Sequence, residues 1–388
     1  MSRVKPFMGK PIAKVFTGQR RVGKSFMLYQ IMKMILDKEP KANIIYINKE
    51  DMTFDDINTA SELHDYIKAN SYEDRVNYIF IDEIQEISNF EKAVRSLLLD
   101  DKNDIYVTGS NAKLLSGELA TLLAGRTIEI NIYSLSYSEF LNFHNLPDNQ
   151  QSLEKYFKYG GLPYLINLKL EDDIIFEYLK NIYSTIVFRD VVSRYNLRNI
   201  NFLEKLLRFL ADNIGSVFSA KRISDFLKSQ QVNIAHNQVQ TYTDYLVNAF
   251  LIHKVKRYDV KGKRIFETGE KYYYENTGLR NAISGYRPGD RGKLLENVVY
   301  NQLLFKGHDV KIGWLDTQEI DFVATKDNET MYIQVALQID NDKTFEREFG
   351  NLLKIKDNYP KKVITMEKQE HNTYQGIELV SVRDFLMN

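Results

Sequence analysis

Gly18-Gln19-Arg20-Arg21-Val22-Gly23-Lys24-Ser25 reads G-x-x-x-x-G-K-S. An apolar run, Ile12 to Phe16, leads into it, and an apolar-periodic stretch, Phe26 to Leu36, follows. Strand, glycine loop, helix is the setting in which this pattern becomes a phosphate-binding loop. Glycine lets the backbone turn tightly and aim successive N–H groups at phosphate oxygens. The positive end of the new helix adds to that field. Lys24 then reaches the β- and γ-phosphates, and the Ser25 hydroxyl faces Mg²⁺. Gly18 to Phe26 is therefore the candidate ATP-binding segment, preferred over a chance match in a Gly/Lys-rich turn.

A second anchor is Tyr78-Ile-Phe-Ile-Asp82-Glu83, four apolar β-formers ending in two carboxylates. A parallel strand delivers acids in this way to the carboxyl edge of a sheet, where ligands bind. Asp82 is placed to hold Mg²⁺, and Glu83 to polarise the water that attacks the γ-phosphate. A strand that merely ends in acidic, solvent-facing residues is common; 57 residues after Ser25 the pair means more. Asn43 to Asn48 reads as a further buried strand, and Thr127 to Ile132 as a fifth. Asp104 to Asn111 is a strand ending in small polar residues, the candidate to lie between the loop strand and the acidic strand. Its tip sets Ser110 or Asn111 near the γ-phosphate as a sensor, or forms a plain Gly-Ser-Asn turn. Arg126, in Leu123-Ala-Gly-Arg126, stands at a strand entrance. It either stabilises transition-state charge, in cis or across a subunit interface, or is a surface arginine.

The bulk numbers narrow the class. With 388 residues, two or three domains are expected. Fifty-two acidic residues balance 52 basic ones, so no global field marks a nucleic-acid binder, and any basic patch is local. There is no cysteine, which excludes disulfides and thiolate-bound zinc. No stretch approaches the length that spans a bilayer, so no membrane partner and a cytoplasmic location are expected.

Beyond residue 132 the pattern turns helical. Ser136 to Phe143 and residues 171–212 carry helical spacing, with a Gly-Pro break at Tyr159-Gly160-Gly161-Leu-Pro163 that reads as a hinge. Residues 133–200 are expected to form a helical lid packed on the nucleotide domain. Residues 201–283 read as three helices and a β-hairpin, the order of a winged helix-turn-helix. Its hairpin is basic, with Lys254, Lys256, Arg257, Lys261, Lys263 and Arg264 against Asp259, and could lie along DNA phosphates. The third helix has no Arg or Lys from His236 to Asn248, which argues against reading of bases; packing between neighbouring modules is the alternative. In residues 284–388, a helix bearing Glu296 precedes strands at 309–314, 320–325 and 331–336. Glu296 and Asp321 fit the acids of a PD-(D/E)xK nuclease core, but its E-x-K reads Gln334-Val-Ala336. One ligand charge and the cation are gone, which argues against retained cleavage.

Taken together, the chain resembles the bacterial and archaeal AAA-superfamily ATPases that carry a C-terminal domain with a degenerate restriction-nuclease-like core. The pieces that carry the resemblance span nearly the whole chain. They are GQRRVGKS at 18–25, IFIDEIQ at 79–85, TGSNAKLLS at 108–116, LAGR at 123–126, YGGLP at 159–163, DVVSRYNLR at 190–198, YDVKGKR at 258–264 and KYYYENTGLRN at 271–281, with GKLLENVVYNQL, EIDFV and YIQVA beyond. The resemblance implies an α/β architecture: an AAA-like P-loop domain with a parallel sheet over residues 1–132, then lid, winged helix-turn-helix and a nuclease-like α/β end. It implies ATP and Mg²⁺ as ligands, and places the loop, acidic strand and sensor on Gly18, Gly23, Lys24, Ser25, Asp82, Glu83 and Ser110. Glu275-Asn276 departs from the aspartate that such chains usually carry near that strand's end. The expectation is an ATP-hydrolysing switch that gates the later modules. The alternatives are a nucleotide-gated DNA binder and, disfavoured by Gln334 and Ala336, an ATP-dependent nuclease. A protein partner or a homo-oligomer fits the first two.

Overall fold

Five short runs rich in Ile, Val, Phe and Tyr become parallel strands: β1 (Ala13–Thr17), β2 (Asn43–Asn48), β3 (Asn77–Asp82), β4 (Asn103–Gly109) and β5 (Thr127–Asn131). They pair in the order β2-β3-β4-β1-β5. The structure is a computed structural model, and it describes residues 3–112, 121–123, 125–339, 342–367 and 372–388. Residues 113–116 of TGSNAKLLS and Ala124 of LAGR lie outside the described residues.

These strands are apolar on both faces, as parallel strands covered by helices are. Ile79 and Ile81 of β3 face one core with Val15, Ile105 and Val107, closed by α2 (Ala60–Ala69) and α3 (Phe90–Leu97). Phe80 faces the other core with Phe16 and Tyr106, closed by α1 (Lys24–Lys38) through Leu28, Ile31 and Ile35. Phe80 and Tyr106 stack at 4.6 Å. The strand β4 does lie between β1 and β3, so the carboxyl ends of β1, β3 and β4 open side by side.

The run from Ile12 to Phe16 needs one correction, because Lys14 inside it is fully buried. Its ammonium pairs with Asp104 of β4 and donates to the Lys10 carbonyl at 2.9 Å. Asp104 also accepts from the Gly9 N–H (2.8 Å) and the Tyr106 hydroxyl (2.7 Å). Burial pushes the Lys14 ammonium below the usual lysine range, and Asp104 opposes that.

This unit takes in residues 1–133 and Asn248–Phe250; Ser134–Val247 and Leu251–Asn388 form a second. In the second unit come α4 (Tyr137–His144), α5 (Gln150–Tyr159), and α6 (Asp172–Thr185), which runs on as a π-helical segment, Ile186–Ser193. Then come α7 (Ile200–Asp212), α8 (Ala220–Ser229), α9 (His236–Asn248) and α10 (Thr277–Ser284). Short α10 packs against α5, α6 and α7. Its fully buried Arg280 donates to the Ala211 carbonyl and to Asp290, both at 2.7 Å.

The later strands are β6 (Ile252–Asp259), β7 (Arg264–Tyr274), β8 (Asp309–Leu315), β9 (Gln318–Lys326), β10 (Glu329–Ala336), β11 (Lys361–Thr365), β12 (Thr373–Tyr374) and β13 (Ile377–Ser381). They form one mixed sheet in the order β12-β13-β11-β10-β9-β8-β6-β7, with α11 (Arg291–Phe305), α12 (Asp342–Leu353) and α13 (Val382–Met387). The hairpin expected as a wing is thus no free wing. Arg257, Tyr258 and Asp259 pair in parallel with Ile312, Gly313 and Trp314, which satisfies an otherwise bare strand edge. Apart from Tyr133 and Asn248–Phe250, the residues of the expected lid, winged-helix and nuclease-like segments fall within this second unit.

The Gly160-Gly161 pair, read as a hinge, marks close packing instead. A Cβ on Gly161 would sit 2.3 Å from the Leu135 carbonyl oxygen, and one on Gly160 2.3 Å from the Asn276 side chain. Among the described residues no helix is long and apolar enough to cross a membrane.

Replacing Lys14 by Met leaves Asp104 buried without its cation. The cost is expected at the low end of about 3–5 kcal/mol, because two hydrogen bonds to Asp104 survive. Thermal melting should show the loss for Lys14→Met and recovery of much of it in Lys14→Met/Asp104→Leu; a Lys14→Met melt equal to wild type contradicts the pairing.

Candidate nucleotide site

The loop after β1 has the backbone that phosphate binding needs. Gly18 sits at φ +150°, and a Cβ there would lie 2.1 Å from the Ile132 carbonyl oxygen, so no side chain fits. Gly23, at φ +98°, caps the start of α1, and Arg21 turns the loop at φ +71°. Val22 is buried and packs toward Gly18, whereas Arg21 is exposed. Arg20 pairs with Glu50 at 3.2 Å. Gln19 donates to the Phe250 carbonyl at 2.9 Å, in the three-residue segment that clusters with this unit. Phe26 opens the first turn of α1 with 65% of its surface exposed, so its ring contributes little to the core.

Lys24 is buried, and its ammonium donates to the Gly18 and Gln19 carbonyls at 3.1 Å each. It stands 3.9 Å from Glu83. A phosphate would compete with two neutral carbonyls for that ammonium, and a charged acceptor makes the stronger bond.

Asp82 ends β3 and faces Ser25, with which it is hydrogen-bonded. The Thr108 hydroxyl of β4 donates to Asp82 and accepts the Glu83 N–H at 3.0 Å. Burial pushes the Asp82 carboxyl up, against hydrogen bonds from Ser25 and Thr108 that lower it. Oxygen ligands such as Ser25 and Asp82 suit a hard cation, and a cation there would restore the charge that burial disfavours. The donor set therefore fits Mg²⁺.

Glu83 turns into the left-handed region at φ +57°, which takes it out of the strand and toward the loop. Burial alone would raise it. The Lys24 ammonium and hydrogen bonds from Gln85 and Ser110 outweigh burial and hold it below the usual carboxylate range. Ser110 donates to Glu83 at 3.0 Å, and Asn111 is buried beside it in sequence. Thr108 and Gln85 were missed in the sequence reading. Thr108 had a visible signal, a hydroxyl that directly follows the apolar run Ile105-Tyr106-Val107 in its strand; Gln85 had none.

Arg126 is not part of this cluster. Its carbonyl accepts the Ala13 N–H at the first residue of β1, while the loop leaves from the last. Its guanidinium bonds the Leu98 carbonyl at 3.4 Å. Arg126 thus sits at the amino edge of the sheet, out of reach of the phosphate loop of its own chain.

The second unit holds another charged cluster, around Glu296, Asp321 and Gln334. The sequence reading found no cation there, but Lys271 of β7 supplies one. Its ammonium lies 2.7 Å from Glu296, 2.7 Å from Glu319 and 3.7 Å from Asp321. Burial alone would lower Lys271; the three carboxylates more than offset it, so it stays charged. Gln334 accepts the Asp321 N–H at 2.7 Å and donates to Glu348 at 3.1 Å. Among the described residues no group of three or more His, Cys, Asp or Glu side chains is arranged to hold a metal ion.

The Asp321 carboxyl is pushed up to about 8 by burial, with Glu296 adding to it and Lys271 opposing. Its folded form holds a proton more tightly than the unfolded chain, so its contribution to stability falls as pH rises from about 4 to about 8 and is level above. Melting curves from pH 5 to 9 should show this decline in wild type and a flatter profile in Asp321→Asn. Parallel profiles contradict the shift.

The family model described as "AAA domain" matches residues 10–141, and a domain of unknown function, DUF8612, matches residues 150–290. Two proteins described as uncharacterized align over nearly the whole chain. One from Haemophilus influenzae is 38% identical, covering 98% of this chain and 96% of its own. One from Methanocaldococcus jannaschii is 32% identical, covering 96% and 84%. Among solved structures, the Walker-type ATPase of Pyrococcus abyssi aligns with a TM-score of 0.49 at 15% identity, over 73% of this chain and 94% of that one. The Aeropyrum pernix ORC1 protein in complex with DNA aligns with a TM-score of 0.34 at 9% identity, over 71% and 86%. Residues 10–141 thus carry an AAA domain of the P-loop type, and the chain belongs to one family with these full-length relatives, a family that has bacterial and archaeal members.

Proposed function

We propose that residues 1–133 bind ATP with Mg²⁺ and hydrolyse it, and that hydrolysis times a change of state in the second unit. One observation carries this reading: Lys24 and Ser25 from the loop meet Glu83 and Asp82 from the end of β3 at one sheet edge, with Lys24, Asp82 and Glu83 buried and Ser25 half-buried. Glu83 accepts a proton from water as the water oxygen bonds to the γ-phosphorus. The bond from that phosphorus to the bridging oxygen breaks, and ADP leaves. Lys24 neutralises charge on the departing phosphates, and loop N–H groups orient them. Ser25 and Asp82 would hold Mg²⁺, which when bound supplies further charge neutralisation. Ser110 and Gln85 steady the Glu83 carboxylate before water arrives.

The Gln19 hydrogen bond to Phe250 supports the coupling. Phe250 lies between α9 and β6 at φ +55°, an uncommon conformation for so bulky a side chain, and one loop residue helps to hold it. Nucleotide that reshapes the loop therefore bears on that segment. The nuclease reading is the weaker one, because Gln334 and Ala336 stand where an acid and a lysine would be, and Lys271 already compensates the remaining acids. Plasmid incubated with the protein, Mn²⁺ and ATP should stay intact.

In steady-state ATPase assays, Lys24→Ala should lower kcat about 10²–10³-fold. Glu83→Gln should lower kcat about 10²–10⁴-fold while ATP affinity is kept. Thr108→Val, which unties Asp82 from Glu83, should cost about 10–100-fold. Wild-type turnover in Glu83→Gln contradicts the base assignment.

A further inference from the structure

The second unit contains a cavity of about 870 Å³ that the ATPase site does not use. It opens between the β6–β7 turn, the strands β8 to β10, and the segment after α12. Its floor is apolar, made by Val260, Leu315, Val323 and Ile355, with Tyr258 and Tyr332 packed on the same core. Its rim is cationic. Lys261, Lys263, Lys311, Lys354 and Lys356 line it against two acids, Asp316 and Asp357, in a chain whose net charge is zero.

Both acids are already engaged. Asp316 lies 3.6 Å from Lys261. Asp357 accepts the Tyr332 hydroxyl at 2.7 Å and pairs with Lys361 at 3.3 Å. The uncompensated charge is therefore on Lys354, Lys263 and Lys356: among the described residues Lys354 donates only to the neutral Gln318 side chain, and the other two have no ion-pair partner. Tyr359 stands at the mouth with 45% of its surface exposed, its ring 6.4 Å from that of Tyr332.

We infer that this groove binds a single-stranded nucleic acid. An apolar, tyrosine-bearing floor under an ammonium rim matches a ligand with flat rings on one side and evenly spaced phosphates on the other. Stacking on tyrosine needs a base freed from its complement, and lysines on the rim then meet the phosphates. A duplex offers only its backbone to such a concavity, so its bases would not reach the floor. The site differs from the expected duplex-tracking hairpin. Of those hairpin residues, Lys254 pairs with Asp244 at 3.1 Å, and Arg257 stacks on Trp314 at 4.0 Å. Lys256 is exposed and Lys261 and Lys263 belong to the groove, while the Arg264 side chain lies outside those described. The inference does not rest on ATP hydrolysis.

Fluorescence anisotropy of the full chain without nucleotide, using labelled 15-mers of oligothymidylate and oligouridylate at ~50 mM salt, tests it, since phosphate contacts are strongest at low salt. Binding of at least one strand is expected, and the two arms tell DNA from RNA. Three phosphate contacts give a slope of log K against log salt near about −2. Lys263→Gln/Lys354→Gln/Lys356→Gln should weaken binding and flatten that slope. Tyr359→Ala should weaken binding about tenfold and leave the slope alone. Unchanged melting curves and ATPase rates show that these variants are folded. No binding of either strand, tighter binding of a duplex of equal length, or variants that bind as wild type each overturn the assignment.

Discussion

Two adjacent carboxylates and one ammonium are buried together where β3 meets the phosphate loop, and the surrounding architecture keeps them compatible. Asp82 and Glu83 repel each other in a site from which water is largely excluded, so they are driven to opposite behaviour. Asp82 is pushed up and held by Ser25 and Thr108; Glu83 is held down by Lys24, Gln85 and Ser110. Thr108 stands between them, donating to one and accepting from the backbone of the other. That position requires β4 beside β3, and Lys24 within reach requires β1 beside β4. The strand order β2-β3-β4-β1-β5 is thus the geometry in which this charge set can be buried.

Much of the first unit was legible because its signals are local. The loop and the strand that ends in Asp82-Glu83 follow from contiguous patterns of residues; the place of β4 was expected only because ATPases with that pair of motifs carry a strand between them. What escaped was non-local. Lys14 was passed over inside an apolar run because its partner, Asp104, is 90 residues away. Arg126 was read from its neighbours in sequence, but only the pairing of β5 with β1 reveals which edge of the sheet it occupies.

The same reason explains the second unit. The helices and the hairpin of residues 201–283 were visible, and so were the strands that follow. Their union into one sheet was not, because it rests on pairing between residues 55 positions apart. Lys271 replaces, from a distant strand, the positive charge absent at Ala336. The outcome is a cluster balanced from within, whereas the groove beside the β6–β7 turn keeps its lysine charge facing outward.

The most direct measurement of the central claim is a crystal structure of the chain with Mg²⁺ and a non-hydrolysable ATP analogue. The account predicts that the Lys24 ammonium leaves the Gly18 and Gln19 carbonyls for the phosphates, with Ser25 and Asp82 turned to the metal and Glu83 facing the γ-phosphate. Nucleotide bound elsewhere, with Lys24 still on the two carbonyls, contradicts it.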